Sequence, residues 1–227
     1  MKRLLDVCCC AGCASEGYAA AGFEVVGIDK DPQPRYPYEF IQADLLDLDP
    51  AWIAANFHGL HISPPCQKYT GLRFRYTVNE HPDLIAPARR LAVATGLPYV
   101  IENVEGARGE LVDPVTLCGT MFDGLRVKRH RLFESNVPFT APRPCPARHP
   151  LHYTLDKRKA HYGRLDEWTA FVMVNGGGNC SRAAAADAMG LAHRYLTKDE
   201  LNEGIPPAYT RWIGEVLMSH LTEGAAA

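Results

Sequence analysis

No apolar run in this 227-residue chain approaches the roughly 20 residues that a membrane-spanning helix requires. The opening MKRLLDV also lacks the apolar core of a secretory leader, because its charged start leads straight into a short strand-like run carrying Asp6. A reducing cytoplasm is therefore the expected compartment, and the eight cysteines are expected there as thiols, ligands or catalysts rather than bridges. No internal repeat is visible, which excludes solenoids and propellers. Net charge is also nearly lacking, at −2, but its distribution is uneven. Ten Lys/Arg fall between Arg126 and Arg164 against Glu134 and Asp156, so that segment carries +8 and the remainder −10. A polyanion-facing surface and a solvated basic loop explain this equally well.

Short apolar runs alternate with helical patterns through residue 103. The apolar stretch 3–9, EVVGID, YEFIQADLL, GLHIS and LPYVIENV read as strands; EGYAAAGF, DPAWIAANF and HPDLIAPARRLAVATG read as helices, with Asp49 capping ahead of Pro50. This order predicts an α/β fold, a doubly wound, mostly parallel sheet of Rossmann-like type. Beyond about residue 134 the period is lost in a Pro-, His- and Arg-rich stretch, read as a small irregular lobe with a short helix at AAAADAMG. PPAYTRWIGEVLMSHL then puts Tyr209, Trp212, Ile213, Val216, Leu217 and Leu221 on one stripe, a helix packing back on the core. Three parts are expected: a catalytic core (1–140), a small basic recognition-like lobe (141–197) and the returning C-terminal helix (198–227).

Four cysteines crowd residues 8–13, CCCAGC. Cys10 and Cys13 have C-x-x-C spacing, but no second pair follows at finger distance. Cys8 and Cys9 continue the strand register and should point to opposite faces. A tight loop of small residues fits better, one that lets backbone and a helix start near Ser15 approach a ligand. Glycines are too few for a dinucleotide fingerprint. Asp29, at the end of the second strand, is placed to accept from ribose hydroxyls, and Asp44 ends the third.

The chemistry is concentrated further on. In ISPPCQKYT, two prolines fix the backbone so that Cys66 is presented at a strand exit. The next strand ends in ENV, bringing Glu102 to the same edge. In RVKRHRLF, Arg129 and Arg131 share one side of an extended segment. A thiolate, an acid and paired guanidiniums suit one reaction well: cysteine adds to C6 of a pyrimidine, the acid supports N3, arginine holds O2, and C5 becomes nucleophilic.

With these motifs in order, the chain resembles the cytosine-5 DNA methyltransferases. DVCCCAGCASEGYAAAGF aligns without gaps to their cofactor loop, D-x-F-x-G-x-G-G-x-S-x-G…A-G-F. VVGID matches the ribose-acid strand, ADLLD the adenine turn, SPPCQ the nucleophile loop, IENV the acid and VKRHRLF the Q-x-R-x-R segment. The likeness covers residues 3–135. Cys8 replaces an aromatic, Cys10 and Cys13 replace glycines, Val127 stands for glutamine, and no terminal G-N-S signature is present. The resemblance implies S-adenosylmethionine as cofactor, held by Asp6, Cys8, Cys10, Ala11, Gly12, Ser15, Asp29, Lys30, Asp44, Leu45 and Pro64. Catalysis would fall to Cys66, Glu102, Arg129 and Arg131. Contacts to substrate DNA would fall to Pro65, Gln67, Asn103 and Lys128, with Arg73 and Arg75 on a loop closing over an extruded base. A monomer acting on double-stranded DNA is expected, in the host cytoplasm if the gene is a phage's. The region after the arginines is short for a site-specific reader. This leaves the same chemistry on a cytosine nucleotide, a modified sulfonium donor, or a catalytically silent nucleic-acid binder as alternatives.

Other candidates read as structural. Cys145, His149, His152 and His161 lack a finger's spacing and sit among prolines, so they are read as loop, and no metal is expected. Asp113, Thr116 and Cys118 read as turn and core, His58 and His61 as structural, and Trp168, Phe171 and Trp212 as core. In NGGGNCSR (175–182), Asn179 or Ser181 could cap the following helix.

Overall fold

A computed structural model describes residues 1–70, 82–150, 152–153, 165–175 and 180–224. Seven strands form one sheet: β1 (Arg3–Val7), β2 (Glu24–Asp29), β3 (Glu39–Gln42), β4 (Gly59–Ile62), β5 (Tyr99–Asn103), β6 (Val115–Leu117) and β7 (Arg131–Ser135). Their spatial order is β3-β2-β1-β4-β5-β7-β6. β1 to β5 are mutually parallel, whereas β7 runs antiparallel to both neighbours. The order reverses at β1, where doubly wound sheets open a crevice at the strands' carboxyl ends.

Alternation along the strands explains the two layers. Leu4, Val25, Val100 and Phe133 pack toward α1 (Cys13–Ala20) and α6 (Pro207–Glu223). Their neighbours Leu5, Val26, Ile28 and Leu60 pack toward α2 (Pro50–Asn56) and α3 (Ile85–Thr95) on the other face. Asp49 caps α2 as expected, accepting from the Ala51 N–H at 2.9 Å with Pro50 at the first helical position. On α6, Tyr209, Ile213 and Leu217 are buried and Val216 and Leu221 flank them, as the stripe requires.

The region after β7 holds more order than its sequence suggests. β8 (His152–Tyr153) pairs in parallel with β9 (Phe171–Val172), and α4 (Arg182–Ala188) is capped by Ser181, whose Oγ accepts from the Ala184 N–H at 3.2 Å. α5 (Lys198–Glu203) starts in a Thr197–Glu200 capping box. Val172, Val174, α4, Leu196 and Leu201 close a small core over Ala11 and Cys13. The lobe therefore packs directly on the cysteine loop. Trp168 is no core residue: half of its surface is exposed.

Candidate active site

The cysteine loop begins where β1 ends. The strand stops at Val7, and Cys8 and Cys10 adopt left-handed backbone, with φ of 59° and 46°. The expected alternation of Cys8 and Cys9 across the sheet is thus broken by the turn itself. Burial and the acids Asp29 and Asp6 push the Cys8 thiol up to about 12 and the Cys9 thiol higher still. These are neutral thiols packed in a turn, not a thiolate cluster. Asp29 ties the turn down, accepting from the Cys10 N–H at 3.0 Å and the Asp31 N–H at 3.1 Å. α1 begins at Cys13, two residues before the expected start. Ser15, fully buried, donates to Asp6 at 2.5 Å and lies 2.8 Å from the Tyr36 hydroxyl. The other Asp6 oxygen, Oδ1, is buried without a hydrogen-bond partner. Burial, with Asp29 and Glu102 nearby, pushes Asp6 up to about 7, against the pull of Ser15.

A cleft of about 500 Å³ opens beside this loop. Asp6, Cys8, Cys10 and Ala11 form one wall, with Asp29, Lys30, Asp44 and Leu45 next to them. Asp44 also caps the short 3-10 turn Leu45–Asp47 by accepting from the Leu46 N–H at 2.9 Å. Pro64, Pro65, Cys66, Gln67, Glu102 and Arg131 form the opposite wall. The loop-strand pattern in the sequence therefore converges on one cavity.

Within it, Glu102 at the end of β5 is buried, and burial pushes its carboxyl up although Arg131 and Arg129 oppose the shift. Arg131 Nε lies 3.0 Å from Glu102 Oε1, yet that oxygen has no aligned hydrogen bond. It is a desolvated acceptor or acid beside a cation. The Cys66 thiol is likewise raised, by burial and then by Glu102, with the two arginines pulling it down. Gln67 Oε1 is a third buried atom among the cleft's lining residues without a hydrogen-bond partner.

Five expected residues do not line the cleft. Ser15 acts through Asp6, and Gly12 lies under Tyr36, whose ring would be 2.8 Å from any Cβ there. Asn103 is buried; its amide donates to the Pro64 carbonyl at 3.0 Å and its Oδ1 accepts from the Val104 N–H at 2.9 Å. It braces the turn that carries Pro64 and Cys66. Arg129 is also turned inward, donating to the carbonyls of Val174 and Asn202, both at 2.5 Å. Burial lowers it to about 9. Lys128 is half-buried, its N–H given to the Val172 carbonyl at 3.0 Å. Arg73 and Arg75 lie outside the described residues.

Several contributors were not anticipated. Glu200, Asn202 and Glu203 of α5 close the cleft, and Arg194 fastens the cysteine loop by donating to the Ala11 carbonyl at 2.7 Å. His61 is fully buried inside β4, between the Tyr18 hydroxyl at 2.9 Å and Ser63 Oγ at 2.8 Å; burial lowers it to about 3. Ser63 in turn reaches Glu102. The PP in SPPC was legible, but this buried chain behind it carried no motif.

No family model matches the chain, and no curated relative does. Solved structures do. A protein from an E. coli prophage, described as a DNA modification methyltransferase, superposes with a TM-score of 0.62 at 14% identity, covering 98% of this chain and 100% of its own. The Dnmt2 methyltransferase of S. pombe follows at 0.60 and 12%, covering 97% and 99%. The methyltransferase EhMeth of Entamoeba histolytica gives 0.57 and 11%, covering 97% and 99%. At these identities the likeness is one of architecture, and the chain has the mixed α/β methyltransferase fold that these proteins share.

Proposed function

We propose that the chain transfers a methyl group from S-adenosylmethionine to C5 of cytosine in DNA. One observation carries the reading: Cys66, Glu102 and Arg131, whose Nε lies 3.0 Å from Glu102 Oε1, line one cleft with the turn and acids expected to hold a nucleoside cofactor. The cleft suits that cofactor. Its volume falls in the range of small-ligand sites, about 300–1,000 Å³, and the buried unpartnered Asp6 Oδ1 offers an acceptor for a cationic group. Asp29, Asp44, Leu45 and the 8–11 backbone would hold it. When bound, it supplies an electrophilic methyl on a sulfonium.

The protein's part is to make C5 a nucleophile. Cys66 loses its proton and its sulfur bonds to C6 of the ring. Glu102, its carboxyl raised by burial, supports N3 and faces the exocyclic amine as electrons move toward the ring nitrogen. Arg131 holds O2 and steadies the carboxyl. After methylation the C5 proton leaves to a base and the C6–S bond breaks, returning the thiolate. C6 must be reached from its face, so the base has to leave the duplex stack.

The test is mass spectrometry of nucleosides from DNA of cells expressing the protein, beside a Cys66→Ala control. 5-Methylcytosine present only with Cys66 is the expected result. A different mass increment on cytosine would change the donor. Unmodified DNA with methylated free cytosine nucleotide would change the acceptor, and no product from either would favour a binding-only role. The Cys66→Ala chain is expected to keep its fold and its cofactor affinity by calorimetry.

A further inference from the structure

Four side chains outside the cleft converge at the sheet edge. Cys118 directly follows β6 and is fully buried, and His130 directly precedes β7. Cys145 and His149 come from the proline-rich segment beyond β7. Their ligating atoms all lie within 4.8 Å of one another. His130 Nε2 is 3.0 Å from His149 Nε2 and 3.4 Å from Cys145 Sγ. His149 Nε2 is 3.2 Å from Cys145 Sγ and 3.5 Å from Cys118 Sγ.

One hydrogen bond between the two imidazoles leaves the close approach of both sulfurs unexplained. Glu105 Oε1 sits 3.0 Å from His130 Nδ1 and holds the ring proton on that side, leaving Nε2 as a lone pair aimed inward. A neutral His149 has at most one proton on its own Nε2, which faces a nitrogen and two sulfurs at once. A single ion satisfies all four. Zinc with bonds of about 2.3 Å to sulfur and about 2.0–2.1 Å to nitrogen holds its tetrahedral ligand atoms about 3.3–3.8 Å apart. The four separations of 3.0–3.5 Å stand close to those values, and the remaining pairs lie within 4.8 Å. The carboxylate behind His130 is the usual outer partner of a zinc-bound imidazole.

We infer that Cys118, His130, Cys145 and His149 form a structural zinc site. Two thiolates and two imidazoles are a donor set suited to zinc, and four protein ligands leave no open position for catalysis. The ion would pin the 145–149 segment to β6 and β7. It would also fix His130, which stands between Arg129 and Arg131. Spacing along the chain concealed the site: Cys145 and His149 are close in sequence, where they read as loop, but the other two ligands come from the core, with Cys118 read as a core residue.

The full, untagged chain should be purified under reducing conditions in chelator-treated buffer, and its metal measured by plasma mass spectrometry. About one zinc per chain is expected, falling to background in Cys145→Ser/His149→Ala. Cobalt exchanged into the natural chain should give sulfur-to-cobalt charge transfer and the strong visible bands of a tetrahedral site with mixed sulfur and nitrogen ligands. A chain with neither zinc nor this cobalt spectrum would overturn the inference. So would zinc that persists in Cys145→Ser/His149→Ala but is lost from Cys10→Ser/Cys13→Ser, since that assigns the ion to the cysteine loop. Should the first double variant fail to fold, the cobalt spectrum of the natural chain decides: an all-sulfur signature refutes the site.

Discussion

Asp6 shows how one residue can link stability to pH. Its carboxyl titrates at about 7 in the folded protein against an ordinary 3.8. Between about pH 4 and pH 7 the folded chain therefore holds a proton that the unfolded chain has released. Stability from this group is greatest below pH 4, falls as pH rises toward 7, and is flat above. The fall is on the order of 4 kcal/mol, and denaturant titrations across pH should find it missing in Asp6→Asn. If a cationic cofactor group sits against Oδ1, its affinity should rise through the same window as the carboxylate forms, which calorimetry can follow. Cys10 is the other informative residue. Its left-handed backbone costs a non-glycine residue about 1–2 kcal/mol, at a position where the resembled family has glycine. Cys10→Gly should therefore stabilise the chain by about 1 kcal/mol, measured by urea unfolding. The thiol's presence there, despite the strain, has no structural explanation.

Between elements, the contact of α1 with α6 is the closest. A Cβ at Gly17 would lie 2.1 Å from both the Pro207 carbonyl and Thr210 Oγ1, and Thr210 donates to the Ala14 carbonyl at 2.8 Å. Gly17→Ala should force the helices apart at a cost of about 3 kcal/mol. Gly109→Ala, whose Cβ meets nothing within 4 Å, should change stability by no more than about 0.5 kcal/mol. The strands and helices through β5 were legible in sequence because each carries its own period and punctuation, as with Asp49-Pro50 or the abrupt SPPC. β6 and β7 were not, since the three residues VTL after a turn and a strand opening on arginine lack a period. Among site residues, those on strand exits could be read from the motif order. Asn103 and Arg129 could not be placed, because whether a polar side chain turns to the cleft or to a neighbouring carbonyl depends on partners tens of residues away.

At the scale of the whole molecule, the basic segment is less of a surface than its charge implies. Arg126 pairs with Asp187, Arg131 with Glu102 and Arg143 with Asp123, and Arg129 is buried. Much of the +8 is spent joining lobe to core, while Lys157, Arg158, Lys159 and Arg164 lie outside the described residues. Arg129 is the main tie, because its guanidinium spans the Val174 and Asn202 carbonyls. Arg129→Met should cost about 2–4 kcal/mol, since it leaves two carbonyls unpaired. Hydrogen exchange should show the loss first in residues 171–204, ahead of β1 and β4.

The Gly17–Thr210 contact also sets a schedule. Translation at about 5–20 residues per second separates the emergence of α1 from that of α6 by about ten to forty seconds. Throughout that interval α1 can pack on β1 and β2 but lacks α6, so part of its apolar face stays uncovered. A chain halted before α6 would leave α1 half-packed, and the cysteine turn ahead of α1 would lack that support.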